Sequence, residues 1–253
     1  MILLKNTLIT LIFSATLLSA GTALAAQVPE LILNDPNEAP FTREDGSGFL
    51  DVVAGEAFRR AGVKLRLVKL PAERALLNAN AGIEDGDLTR IAGLEAQYPN
   101  LIRVPEKLID WEFSAFSMNS AMPTNLDALR THSVAHIKGW KIYEQMMVGA
   151  PTVVTAEDSV QLFRLLEMKR VEVVLYMRWM GLTKIREQNL HGVVALEPSL
   201  ATREMYIYLH KRHANLVPKI AAALREIKKE GFYDRQFREK VLSSVSPVMK
   251  QRK

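Results

Sequence analysis

Leu70-Pro71-Ala72-Glu73-Arg74-Ala75-Leu76, Asn78-Ala79-Asn80-Ala81-Gly82, Glu84-Asp85-Gly86-Asp87-Leu88-Thr89-Arg90 and Tyr98-Pro99-Asn100-Leu101-Ile102-Arg103-Val104 together decide how this chain is read. Pro71 suits a first helical position because its missing N–H has no partner there anyway. Ala72, Ala75, Leu76 and Ala79 then share one helical face, and Gly82 fits the left-handed position that ends a helix. Asp85-Gly86-Asp87 begins like a calcium loop, but the rest of that ligand pattern is missing, so it reads as a tight turn. Ile102-Arg103-Val104 reads as a short strand. Arg74 and Arg90 each carry a planar guanidinium with five donors, the geometry that grips a carboxylate. No nucleophile with a base stands nearby, so the stretch suggests holding a small anion rather than transforming one.

The same alternation continues on both sides. Leu31-Ile32-Leu33 is a short strand, and a polar loop with Pro36, Pro40 and Gly46 follows it. Leu50, Val53, Ala54, Ala57, Phe58 and Ala61 keep helical spacing up to Gly62. Val63 to Leu70 alternates as a strand. Lys107 to Met118, with Trp111, Phe113 and Phe116, is apolar enough to cross into a second lobe. There the pattern restarts. Asn125 caps a short helix, Ser133 to Ile137 is a strand, Trp140 to Met147 is helical, and Val153-Val154 is a strand. Asp158 or Ser159 caps the next helix. Val171 to Tyr176 is a buried strand by its unbroken apolar run. Val193 to Leu196 and Met205 to Leu209 are the last strands, and the second is expected to return to the first lobe. A long amphipathic helix through Leu216, Ile220, Ala223, Leu224 and Ile227 ends at Gly231.

Strands alternating with helices imply an α/β fold in which helices flank parallel-rich sheets. Two such lobes, joined by a hinge of crossing strands, leave a cleft between them. Ligands in such folds sit at strand C-termini and helix N-termini. The expected division is residues 1–26 as a signal peptide, 27–111 with 205–253 as the first lobe, and 112–204 as the second. The leader is read from Lys5, the small-x-small site Ala23-Leu24-Ala25 and the apolar run Leu8 to Leu18, which is short for a membrane span and interrupted by Thr10, Ser14 and Thr16.

Composition narrows the classes. Of 253 residues, 48% are hydrophobic and 24% charged, an ordinary globular balance. The net charge of +5 is dispersed along the chain, without the continuous basic face that nucleic acid needs. There is no cysteine, which excludes disulfides, cysteine metal sites and a lipidated N-terminal cysteine. His210 and His213 lack a third metal ligand. Glycine patterns for nucleotides and a nucleophile elbow are absent. No cofactor, metal site or catalytic set is therefore expected.

Further pieces carry a resemblance. These are Ala39-Pro40-Phe41, Gly48-Phe49-Leu50-Asp51 leading to Glu56, Asp85-Gly86 followed by Arg90, Leu126-Asp127-Ala128-Leu129, Lys138-Gly139, Arg170-Val171-Glu172, and Tyr206 to Leu209 with Leu216 and Gly231. In this order the chain resembles the bacterial extracellular solute-binding proteins of family 3, the polar amino-acid type of periplasmic receptor. The resemblance implies a type II-like, two-lobe "Venus flytrap" in the periplasm. Such a protein acts as a monomer that captures an amino acid or related carboxylate for an ABC-type inner-membrane permease. Signalling to a sensor, or a dehydratase activity on the same scaffold through Glu73, Glu112 or Glu172, are the alternatives.

It further implies that Arg90 pairs with a ligand carboxylate and that Phe41 packs on the ligand. The residue-level alternative for Arg90 is a pair with Asp87 or Glu95, and for Arg74 a pair with Glu73. Trp111, Trp140 and Tyr176 complete the candidate ligand-binding set, with core packing as the alternative for the large rings. One departure stands out: where relatives carry a second acid to hold an ammonium, this chain has Met177 beside Tyr176. The ligand is then something other than an ordinary amino acid, or another carboxylate such as Asp158 serves.

Overall fold

A computed structural model describes residues 28–250. The expected signal peptide, residues 1–26, lies outside the described residues. In order, the strands are β1 (Glu30–Asn34), β2 (Lys64–Val68), β3 (Gly86–Arg90), β4 (Leu101–Arg103), β5 (Ile109–Ser117), β6 (Val134–Ile137), β7 (Val153–Ala156), β8 (Val173–Met177), β9 (Val194–Ala195) and β10 (Ala201–His210). The α-helices are α1 (Phe49–Arg60), α2 (Ala72–Ala81), α3 (Leu126–Leu129), α4 (Lys141–Met146), α5 (Ser159–Glu167), α6 (Arg178–Glu187), α7 (Val217–Lys229), α8 (Phe232–Phe237) and α9 (Ser243–Lys250). A π-helical turn, Arg238–Leu242, joins the last two helices.

The strands follow the order β2-β1-β3-β10-β5-β8-β6-β7, with β4 on β10 and β9 on β5. Within each half the pairing is parallel: β1 with β2 and β3, and β6 with β7 and β8. Two long antiparallel strands join the halves. Ala201 to Met205 of β10 pairs with Phe113 to Ile109 of β5, and the later part of β10 pairs with β3 and β4. The far end of β5 pairs with β8. The chain is thus an α/β protein of two lobes, and β10 returns to the first as expected.

Local chemistry explains the elements. The spacing in α1 buries Phe49, Leu50, Val53, Ala54, Ala57 and Phe58 on one face. Asp51 accepts from Gly48 N–H at 2.9 Å, satisfying a donor at the start of that helix. Gly82, at φ 75°, closes α2 by donating to Asn78 and Ala79 carbonyls, and Pro71 sits one position earlier than expected, as the residue before the first turn. Asn125 and Asp158 cap α3 and α5 by accepting from Ala128 N and Gln161 N, both at 2.8 Å. The crossing role of Lys107 to Met118 falls to β5.

Two readings are corrected. Asp85-Gly86-Asp87 is no turn: Gly86 opens β3, pairing with Leu33 of β1 and Leu209 of β10. Alternation fails as a signal there because nearly the whole strand, including Asp87 and Thr89, is buried. Beyond Tyr176, α6 and the helices after Gly231 add packing that the periodicity did not reveal.

Candidate functional site

The parallel strands of each half end at an edge where the following helices begin. In the first lobe, the ends of β1 and β3 gather Asn34, Asp35, Asn37, Thr42, Asp87 and Thr89, all buried. Asn37 donates its side-chain amide to Thr89 Oγ1 at 3.1 Å and also to Asp35. Thr89 Oγ1 lies 3.3 Å from Asp35 Oδ1. Burial, reinforced by the charge of Asp87, pushes the Asp35 carboxyl up to about 7. Burial likewise raises the Asp87 carboxyl, against the pull of Arg90.

Arg90 is fixed from one side. Its Nη2 donates to Asp87 Oδ2 at 2.7 Å and to the Ala72 carbonyl at 2.9 Å, tying the end of β3 to the first turn of α2. Its buried Nε has no partner among the described residues. An orphaned buried guanidinium N–H is costly unless something accepts from it. Arg90 therefore makes the pair with Asp87 that its position allowed, and keeps one buried donor unpaired among the described residues.

The second lobe answers with aromatic rings. Trp140, just before α4, stacks on Tyr176 at 5.1 Å and 17°, and on Tyr143 at 5.9 Å and 9°. Tyr176 is buried at the end of β8, and burial together with the charge of Glu38 raises its hydroxyl well above the ordinary value. Met177, at the end of β8, is buried. Asp158 caps α5 through Oδ1, which accepts from Gln161 N at 2.8 Å.

Between the lobes stands Glu38, from the loop after β1. Its Oε2 accepts from Ser159 Oγ at 2.9 Å and lies 2.9 Å from Lys184 Nζ of α6. The Lys141 ammonium of α4 is held above its ordinary value by Glu144 first, with a smaller pull from Glu73 of α2.

The remaining candidates lie apart. Phe41 is fully enclosed, its ring edge-on to Phe49 at 6.4 Å. Arg74 is exposed and makes no ion pair among the described residues, with Glu73 or otherwise. Trp111 is half-buried on β5, edge-on to Phe113 at 6.5 Å, with its indole N–H unpartnered. The structure thus brings Trp140 and Tyr176 together, places Arg90 at the end of β3 in the first lobe, and leaves Phe41 in the core. His213 is 2.6 Å from Asp85, at the start of β3. Among the described residues no group of three or more His, Cys, Asp or Glu is placed to hold a metal ion, and no helix is long and apolar enough to cross a membrane.

Sequence reasoning missed Asp35, Glu38, Ser159 as a contact, and Lys184. Asp35 had a signal: a carboxylate directly after an apolar strand sits at the strand's ligand-facing end. Glu38 and Lys184 had none, being 146 positions apart.

No family model matches the chain. A protein of Shewanella oneidensis, described as uncharacterized, is 25% identical over 197 residues, covering 73% of each chain. Among solved structures, a mutant of ArgBP from T. maritima superposes with a TM-score of 0.68 at 20% identity, over 83% of this chain and 94% of that one. A histidine kinase sensor domain with similarity to periplasmic binding proteins gives 0.71 at 16%, over 84% and 95%. AbpA from Streptococcus pneumoniae, an amino acid ABC transporter substrate-binding protein bound to L-arginine, gives 0.69 at 14%, over 85% and 96%. At these identities the likeness establishes the fold, that of the two-lobe solute-binding proteins.

Proposed function

We propose that this chain is an exported, periplasmic solute-binding protein that captures a small polar or anionic ligand, an amino acid or related carboxylate, between its lobes. It would deliver that ligand to an ABC-type transporter. The observation that supports this most is Arg90. One guanidinium nitrogen is anchored on Asp87 and Ala72, and the buried Nε has no acceptor among the described residues. A pre-oriented arginine with an open donor at a strand's end is suited to a carboxylate. The stacked rings of Trp140 and Tyr176 supply the apolar wall that small-molecule sites commonly use. Solved proteins of this fold bound to arginine, glutamine or glutamate agree with that class.

The test is thermal unfolding of the purified protein against amino acids, dicarboxylates and polyamines. A ligand at a hundredfold its Kd adds about 2.7 kcal/mol of stability. Arg90→Lys keeps the charge but loses the planar fork, and is expected to weaken the best carboxylate at least tenfold. If that variant binds like the parent, Arg90 is not the anchor.

A second reading is favoured by one observation, the overlap with a histidine kinase sensor domain. In it ligand binding signals to a membrane partner instead of feeding a permease. Ligand-dependent retention of a purified permease complex supports transport, and ligand-dependent kinase activity supports sensing.

A further inference from the structure

The Glu38 carboxylate reaches from the first lobe's leading loop to two different helices of the second. The loop that carries it is held firmly. The Glu38 carbonyl accepts from Phe41 N at 2.9 Å and Thr42 N at 3.2 Å. Phe41 is buried without exposed surface, and Thr42 Oγ1 donates to the Asn37 carbonyl at 2.8 Å. The backbone beneath Glu38 is thus pinned to the first lobe's core.

Its partners are equally fixed to the second lobe. Ser159 is the first residue of α5, behind the Asp158 cap, and is buried. Lys184 lies near the middle of α6, with its side chain 15% exposed against 32% for Glu38. Neither end of this ion pair swings freely, and both are partly removed from water. Such a pair differs from the exposed kind, which contributes little. Separating the lobes would rehydrate both charges, but it would also break the 2.9 Å contacts to Ser159 and Lys184 together. Lys184 faces Glu38 from α6, and the same ammonium lies 3.8 Å from Glu187, one turn on.

We propose that Glu38, Ser159 and Lys184 form an interlobe latch that holds the cleft closed without any ligand. The resting protein is then closed, and a ligand enters through a minor open population. This goes beyond the proposed ligand class and does not depend on it, because the latch is made from the chain's own side chains. The consequence follows population-shift arithmetic: apparent affinity is lowered by the fraction of molecules open at any moment, and loosening the latch speeds entry.

The test is small-angle scattering of the ligand-free full chain, with circular dichroism on each variant to verify folding. The wild-type radius of gyration is expected to be that of the latched, closed form. Glu38→Ala and Lys184→Met are each expected to enlarge it, and the double exchange Glu38→Lys with Lys184→Glu to bring it back. A wild-type radius as large as that of Glu38→Ala overturns the latch. Compact single variants overturn it too. A failure of every metabolite to bind would count against the ligand-binding reading alone and leave these radii unchanged.

Discussion

At the scale of single residues, the first lobe concentrates more charge out of water than its core can comfortably hold. Asp87 is fully buried and, among the described residues, pairs with the Arg90 guanidinium 2.7 Å away. Removing the guanidinium leaves that carboxylate uncompensated. Arg90→Ala is therefore expected to cost about 3–5 kcal/mol in urea unfolding, the range for breaking a buried pair; a loss below about 1 kcal/mol would mean that the pair is solvated.

Asp35 makes a pH prediction. Its folded carboxyl titrates near about 7, above the ordinary value of about 3.9. Between those values the folded chain keeps a proton that the unfolded chain has released. The contribution is full at low pH, falls as pH rises through this window, and is lost above about 7. Asp35→Asn is expected to flatten the descent and to be the more stable protein at about pH 8, where the parent holds a buried charge. Equal slopes for parent and variant between about pH 5 and about pH 8 would contradict the assignment.

At the scale of elements, Gly86 decides whether β3 can pair at all. A Cβ there would stand 2.1 Å from the Tyr208 carbonyl, a backbone atom of β10 that cannot turn aside. Gly86→Ala is expected to cost about 1–3 kcal/mol or more, as overpacking does. Gly55 lies in the middle of α1 with open space where a Cβ would go. Gly55→Ala is expected to gain about 0.5–1 kcal/mol instead. Thermal melts of the two variants should move in opposite directions.

The same elements separate what the sequence makes plain from what it hides. Helix α1 and the α2–Gly82 boundary were legible because a half-buried helix writes its core on one face and its stop in a glycine. Strand β3 was not, because Gly86-Asp87-Leu88-Thr89 is a polar run buried by its position, between β1 and β10. Helix α6 was not, because Met180, Gly181, Leu182, Thr183 and Ile185 are buried around several faces and leave no single stripe. In the candidate site, Arg90 was visible through its guanidinium and its place after a strand. Glu38 was not: its role comes from partners on α5 and α6 that only the folded chain brings near.

At the scale of the whole molecule, the halves are joined by more than the crossing strands. Phe237, at the end of α8, sets its ring edge-on to Phe49 of α1 at 5.4 Å and to Trp179 of α6 at 5.7 Å. The C-terminal helices therefore lean on both lobes, and α9 continues along α6. Phe237→Ala is expected to lower stability by about 2 kcal/mol, less than a fully buried ring because Phe237 is half-buried. It is also expected to widen the ligand-free chain in scattering, and no change in either measurement would show that this contact does not join the lobes.

The central claim concerns the space between those lobes. Isothermal titration of the purified protein with a panel of small carboxylates, amino acids included, tests it most directly. Binding is expected to be saturable, with one ligand per chain and a negative heat-capacity change from apolar burial against Trp140 and Tyr176. A complete absence of binding heat across the panel, with no shift in thermal unfolding, would contradict the account.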